Sequence, residues 1–112
     1  MSKRSSQLLL EDIVECAKKI LSYTEGLSFE QFVADSKTAD AVIRNFEVIG
    51  EAANRLPEEL KDQYPQIDWH RIRGFRNRII HDYMGIDYKI VWQVKENFLP
   101  DLIRKITDIL SV

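Results

Sequence analysis

The chain has 112 residues, 45% of them apolar and 30% charged, with 4 Gly, 3 Pro and a net charge of −2. That length fits one domain with one core, and the composition argues against disorder and low complexity. A single cysteine, Cys16, excludes an internal disulfide and a cysteine-based metal cluster, and the mild acidity argues against a protein that coats nucleic acid. The longest apolar run, Leu8-Leu9-Leu10, is far short of a membrane span, and Glu11 and Asp12 cut off any leader-like stretch. These features lead us to expect a cytoplasmic protein that does not engage a membrane.

Helical periodicity runs through the chain and strand alternation is missing, which predicts an all-α, up-and-down helical bundle. The first helix is expected from about Ser5 to Tyr23, burying Leu9, Ile13, Ala17, Ile20 and Leu21, with Gly26 ending that region. Ser28-Phe29-Glu30-Gln31 has the pattern of a capping box and predicts a short helix through Val33. A long helix is expected from about Thr38 to Leu56, with Val42, Phe46, Ile49, Ala53 and Leu56 as its seam. Pro57 suits the first turn of a short helix ending near Asp62, and Pro65 breaks the chain again. Asp68 can cap a helix from Trp69 to about His81. Asp87 can cap the last long element, which buries Val91, Val94, Phe98, Leu102, Ile106 and Ile109. Pro100 predicts a kink or break in it near Phe98 to Leu99. No glycine-rich phosphate loop is present.

The charge is unevenly placed. From Trp69 to His81 there are four arginines, two histidines and no acid. Such a strip can hold a polyanion at one spot although the whole chain is slightly acidic. On a helix, Arg73, Asn77 and His81 form a row. Arg76 lies five positions before His81, about 140° around the axis, from where its long side chain could bend toward the imidazole. Phe75, Ile79 and Ile80 are expected to anchor the other face in the core.

Arg, Asn and His together suit RNA cleavage that needs no metal. The RNA 2′-hydroxyl is a built-in nucleophile, and an imidazole, with an ordinary pKa of about 6.5, can take or return its proton. A guanidinium presents a rigid fork of donors to the charge that gathers on the phosphoryl oxygens. Asn77 could hold a phosphate oxygen or fix the imidazole tautomer. Arg73 and Arg78 are candidate RNA phosphate contacts, although a solvated helix face would carry the same charges. Glu51 could orient a motif arginine or form an ordinary surface salt bridge. One chain supplies one such histidine, so a symmetric second copy would provide both an acid and a base.

Ile49-Gly50-Glu51-Ala52-Ala53, Ile67-Asp68-Trp69, Arg76-Asn77, His81-Asp82-Tyr83 and Val91-Trp92 together resemble the HepT branch of the HEPN-domain proteins. The hallmark of that branch is an Arg, four to six residues, a His, any residue and a Tyr; here the gap is four. The resemblance implies a homodimeric helical bundle that acts as the toxin of a toxin–antitoxin pair and cleaves RNA without metal or cofactor. It implies Arg76 and His81 as the catalytic pair, with Asn77 supporting them. It also implies that Tyr83 accepts AMP units from a partner nucleotidyltransferase of the MntA type, which would fill the RNA groove with bulk and negative charge. The alternative is a non-catalytic subunit that binds nucleotide or substrate for that nucleotidyltransferase.

Overall fold

A computed structural model describes residues 4–81 and 85–111. Among them are seven helices: α1 (Ser6–Thr24), α2 (Phe29–Ala34), α3 (Ser36–Arg55), α4 (Glu58–Gln63), α5 (Trp69–His81), α6 (Tyr88–Asn97) and α7 (Leu99–Leu110). No described segment is a strand, so the fold is all-α, as the periodicity predicts.

Helices α1, α2, α3, α5 and α6 begin where a short polar side chain satisfies an otherwise unpaired amide, whereas α4 and α7 start without a side-chain cap. The Ser5 hydroxyl accepts from the Leu8 amide at 3.2 Å and opens α1. Gly26, at φ 77°, takes the left-handed turn that ends the α1 region, a conformation costly for any residue with a Cβ. Both halves of the capping box form: the Gln31 amide donates to the Ser28 hydroxyl at 3.1 Å, and the Ser28 amide donates to Gln31 Oε1 at 2.9 Å. The third helix starts at Ser36, ahead of the Thr38 that periodicity suggests. Asp35 is the reason: its carboxylate accepts from the Thr38 amide at 3.1 Å and from the Thr38 hydroxyl at 2.7 Å, drawing Thr38 into the first turn. The Thr38 hydroxyl and amide hold the Asp35 carboxyl below its ordinary pKa.

The third helix is the spine, packed on α1 along one side and on α5 along another, while α7 lies on α1 and α6. Ile13, Ile20, Phe32, Val42, Val91, Leu99, Leu102 and Ile106 are fully buried. Every residue of the expected α3 seam is buried: Val42, Phe46, Ile49, Ala53 and Leu56. Phe32 carries the short α2 into the core, with ring centroids 6.0 Å from Tyr88 and 5.2 Å from Trp92. Cys16 is a core residue, and its burial pushes the thiol pKa up.

The last long element is two helices that meet at Phe98. Pro100 enters the first turn of α7 because a proline deeper inside a continuous helix would lack the amide needed to bond the preceding turn. Val94, Phe98 and Ile109 are half-buried. Two bonds fix the loop that leads into α5. Trp69 Nε1 donates to the Tyr64 carbonyl at 3.1 Å, and Lys105 Nζ donates to the Gln66 carbonyl at 2.7 Å. Ile67 between them is buried. The start of α5 is therefore tied to α7 and to the end of α4 before its polar face begins.

Candidate active site

The Asp68 carboxylate accepts from the Arg71 amide at 2.9 Å and opens α5, as its position before Trp69 predicts. Ile72 and Ile79 then fasten the helix to the core. Phe75 is half-buried and meets Phe46 of α3 edge to face, centroids 4.9 Å apart and planes at 89°. Ile80 does not join them: it is 41% exposed. At about 100° per residue it stands a quarter-turn from Ile79 and one turn beyond Arg76, which puts it on the polar side.

Arg73, Asn77 and His81 are all exposed, one turn apart, so the row read from the sequence exists as an outward-facing stripe on α5. Arg76 is turned differently. Its side chain is 26% exposed, and Nη2 donates to Glu51 Oε2 at 2.8 Å. The expected bend of Arg76 toward His81 is replaced by this engagement with α3. Being 140° around the helix from His81, Arg76 emerges on the flank that faces α3. There Gly50 leaves room for its stem and Glu51 supplies the charge. A Cβ built at Gly50 would overlap both Cβ and Cγ of Arg76. Arg76 Nε is buried and has no hydrogen-bond partner among the described residues. The other oxygen of Glu51 accepts from Arg55 Nε at 3.1 Å, so two guanidinium groups share one carboxylate. One signal for this junction was in the sequence: a glycine inside a 20-residue helix weakens it unless another chain must come close.

The two other arginines considered for RNA lie on different flanks. Arg73 lines a polar cleft of about 210 Å³ with Gly50, Asn54, Lys61, Asp62 and His70, next to the Arg76 stem. Arg78 lines a groove of about 400 Å³ between α5 and α6–α7, walled by Phe46, Phe75, Ile90, Val94 and Phe98. The five-residue offset between Arg73 and Arg78 gives the same 140° separation. Arg71 belongs to the second groove, its guanidinium 4.9 Å from the Phe98 ring centroid. Tyr83, the candidate AMP acceptor, lies outside the described residues. Among the described residues no three His, Cys, Asp or Glu side chains are grouped to hold a metal ion, and no helix is long and apolar enough to cross a membrane.

A family model described as ribonuclease HepT-like matches residues 13–109, which takes in α5 and the whole Gly50–Arg76 junction. The chain belongs to the HepT-like ribonuclease family. It is 41% identical over 111 residues to the provisionally named RNase MJ0127 of Methanocaldococcus jannaschii, covering 99% of this chain and 92% of that one. The probable ribonuclease HepT of Thermococcus cleftensis is 39% identical over 100 residues, or 89% of this chain and 91% of its own. The provisionally named RNase TTE0752 of Caldanaerobacter subterraneus is 35% identical over 102 residues, 91% of each chain. No solved structure matches. Within this HepT-like chain, α5 presents Asn77 and His81 outward while Arg76 is anchored from behind. A histidine able to move a proton thus lies one turn from an amide, on a helix that also carries a guanidinium.

Proposed function

We propose that this HepT-like protein is an endoribonuclease toxin that cuts RNA without a metal ion: a 2′-hydroxyl loses its proton and attacks the adjacent phosphorus, the bond from phosphorus to the 5′-oxygen of the next nucleotide breaks, and that departing oxygen takes up a proton. His81 moves the proton, Arg76 answers the charge on the phosphoryl oxygens, and Asn77 holds a phosphate oxygen or the imidazole. Arg73 and Arg78, on opposite flanks, contact the strand on either side. The working unit is a homodimer in which a second copy of α5 brings the second histidine. The observation that carries this reading is the exposed Arg73–Asn77–His81 stripe on a helix inside the family match. The purified chain is expected to cut RNA in excess chelator; intact RNA under those conditions overturns the reading, and nucleotide binding without cutting would favour a non-catalytic subunit.

The same reading makes Tyr83 the off switch, modified with AMP by a partner nucleotidyltransferase, the antitoxin. Adenylate placed two residues beyond His81 adds negative charge and bulk where RNA phosphate must approach. Co-expression with the partner is expected to raise the intact mass in AMP steps, and Tyr83→Phe to stop the increase. An unchanged mass with an active nucleotidyltransferase contradicts the switch.

A further inference from the structure

We propose that Glu51 is the positioning residue for Arg76, and that Gly50 is the gap that makes the positioning possible. The proposal rests on the reading of Arg76 as a phosphate-binding group and adds what sets its orientation. An arginine has a long, flexible stem, and its value at a reacting phosphate depends on the fork being held before substrate arrives.

Three independent observations restrain Arg76. Its Cβ and Cγ occupy the space a side chain at residue 50 would fill, so the stem lies against the α3 backbone. Its Nε is buried and has no acceptor among the described residues. Such a cost, at an atom that could otherwise turn to water, is one a structure retains when the rest of the group is fixed. Its Nη2 is bonded to Glu51 Oε2 at 2.8 Å, across a chain separation of 25 residues. Glu51 in turn is steadied from its own helix by Arg55, one turn on. This sharing also settles the charge. One carboxylate between two guanidinium groups leaves a net positive charge, so Glu51 can orient Arg76 without cancelling its attraction for phosphate. With each carboxylate oxygen accepting from one arginine, Glu51 acts on RNA through the orientation it gives Arg76.

The test compares Glu51→Ala, Glu51→Gln and Arg55→Ala with the parent in single-turnover cleavage across RNA concentrations. Glu51→Ala is expected to lower the saturating rate by about 10- to 100-fold, with a much smaller change in the RNA concentration needed for half-saturation and an unchanged unfolding midpoint. Glu51→Gln keeps an acceptor oxygen and should recover most of the rate. Arg55→Ala leaves the Glu51–Arg76 bond but removes the second positive charge, so it should raise the RNA concentration needed for half-saturation while the saturating rate stays within about fivefold of the parent. A parental rate in Glu51→Ala, or equal losses in Glu51→Ala and Glu51→Gln, overturns the proposal. A second readout does not need cleavage. In nitrogen-15 spectra the buried Arg76 Nε–H, assigned by its absence in Arg76→Lys, should be protected from water exchange in the parent and in Arg55→Ala, and lose that protection in Glu51→Ala. Undiminished protection in Glu51→Ala sinks the clamp. If the parent cuts no RNA, the ribonuclease reading fails while the spectra still decide what holds Arg76.

Discussion

Replacing His81 with alanine is expected to slow RNA cleavage by about 10²- to 10⁴-fold, the range of a lost general acid or base. The unfolding midpoint should hardly move. His81 is exposed and is the last residue of α5, so its removal opens no cavity and leaves Ile72, Phe75 and Ile79 in their places. A surface replacement of that kind usually changes stability by no more than about 0.5 kcal/mol. The pairing of a large kinetic effect with a negligible thermodynamic one separates a chemical role from a packing role. Cleavage by His81→Ala at the parental rate would remove His81 from the mechanism. A parallel fall in midpoint would place the residue in the fold instead.

The opposite pairing is expected at Phe46. This side chain is 3% exposed and meets Phe75 edge to face at 4.9 Å, making it the apolar clasp between the spine and the helix that carries the site. Truncation of a buried phenylalanine costs about 3–5 kcal/mol through lost burial and the cavity left behind. That is a large part of the roughly 5–15 kcal/mol that holds a domain folded. In a urea titration of Phe46→Ala the midpoint should fall sharply while the slope stays constant, the mark of lost stability without a change in the unfolded chain. A loss under about 1 kcal/mol would mean that α5 is held to α3 chiefly by polar contacts, since that is the scale of an exposed ion pair. The site would feel this change indirectly, because the α3–α5 interface that Phe46 and Phe75 share also sets Arg76 over Gly50.

What the sequence disclosed was mostly local. The Ser28–Gln31 capping box, the Asp68 and Asp87 caps and the break at Phe98 each depend on side chains and backbone within a few residues, so pattern alone identified them. The α3 seam followed from periodicity, which reports one helix face. The helix boundary at Asp35 was less legible because its carboxylate bonds two groups of Thr38, a detail that periodicity does not carry.

The arrangement of the site depended on contacts that spacing cannot give. Arg73, Asn77 and His81 form a row in any α-helix, and they do here. The direction Arg76 takes depends on which face of α3 lies opposite, and its partner Glu51 is 25 residues away in the chain. The exposure of Ile80 and the division of Arg73 and Arg78 between two grooves have the same origin. Helical spacing fixed their relative angles, while the tertiary packing of α5 decided which of those angles face water.

The proposed reaction is cleavage of RNA by the RNA's own 2′-hydroxyl, with His81 moving the proton and no metal taking part. Its most direct test is single-turnover cleavage, in excess chelator, of two strands that differ only by one 2′-deoxy nucleotide at the cut position. The all-RNA strand is expected to be cut, leaving a 2′,3′-cyclic phosphate at the new end, and the substituted position to stay intact. Equal cutting of both strands, or cutting that stops when chelator is added, would contradict it.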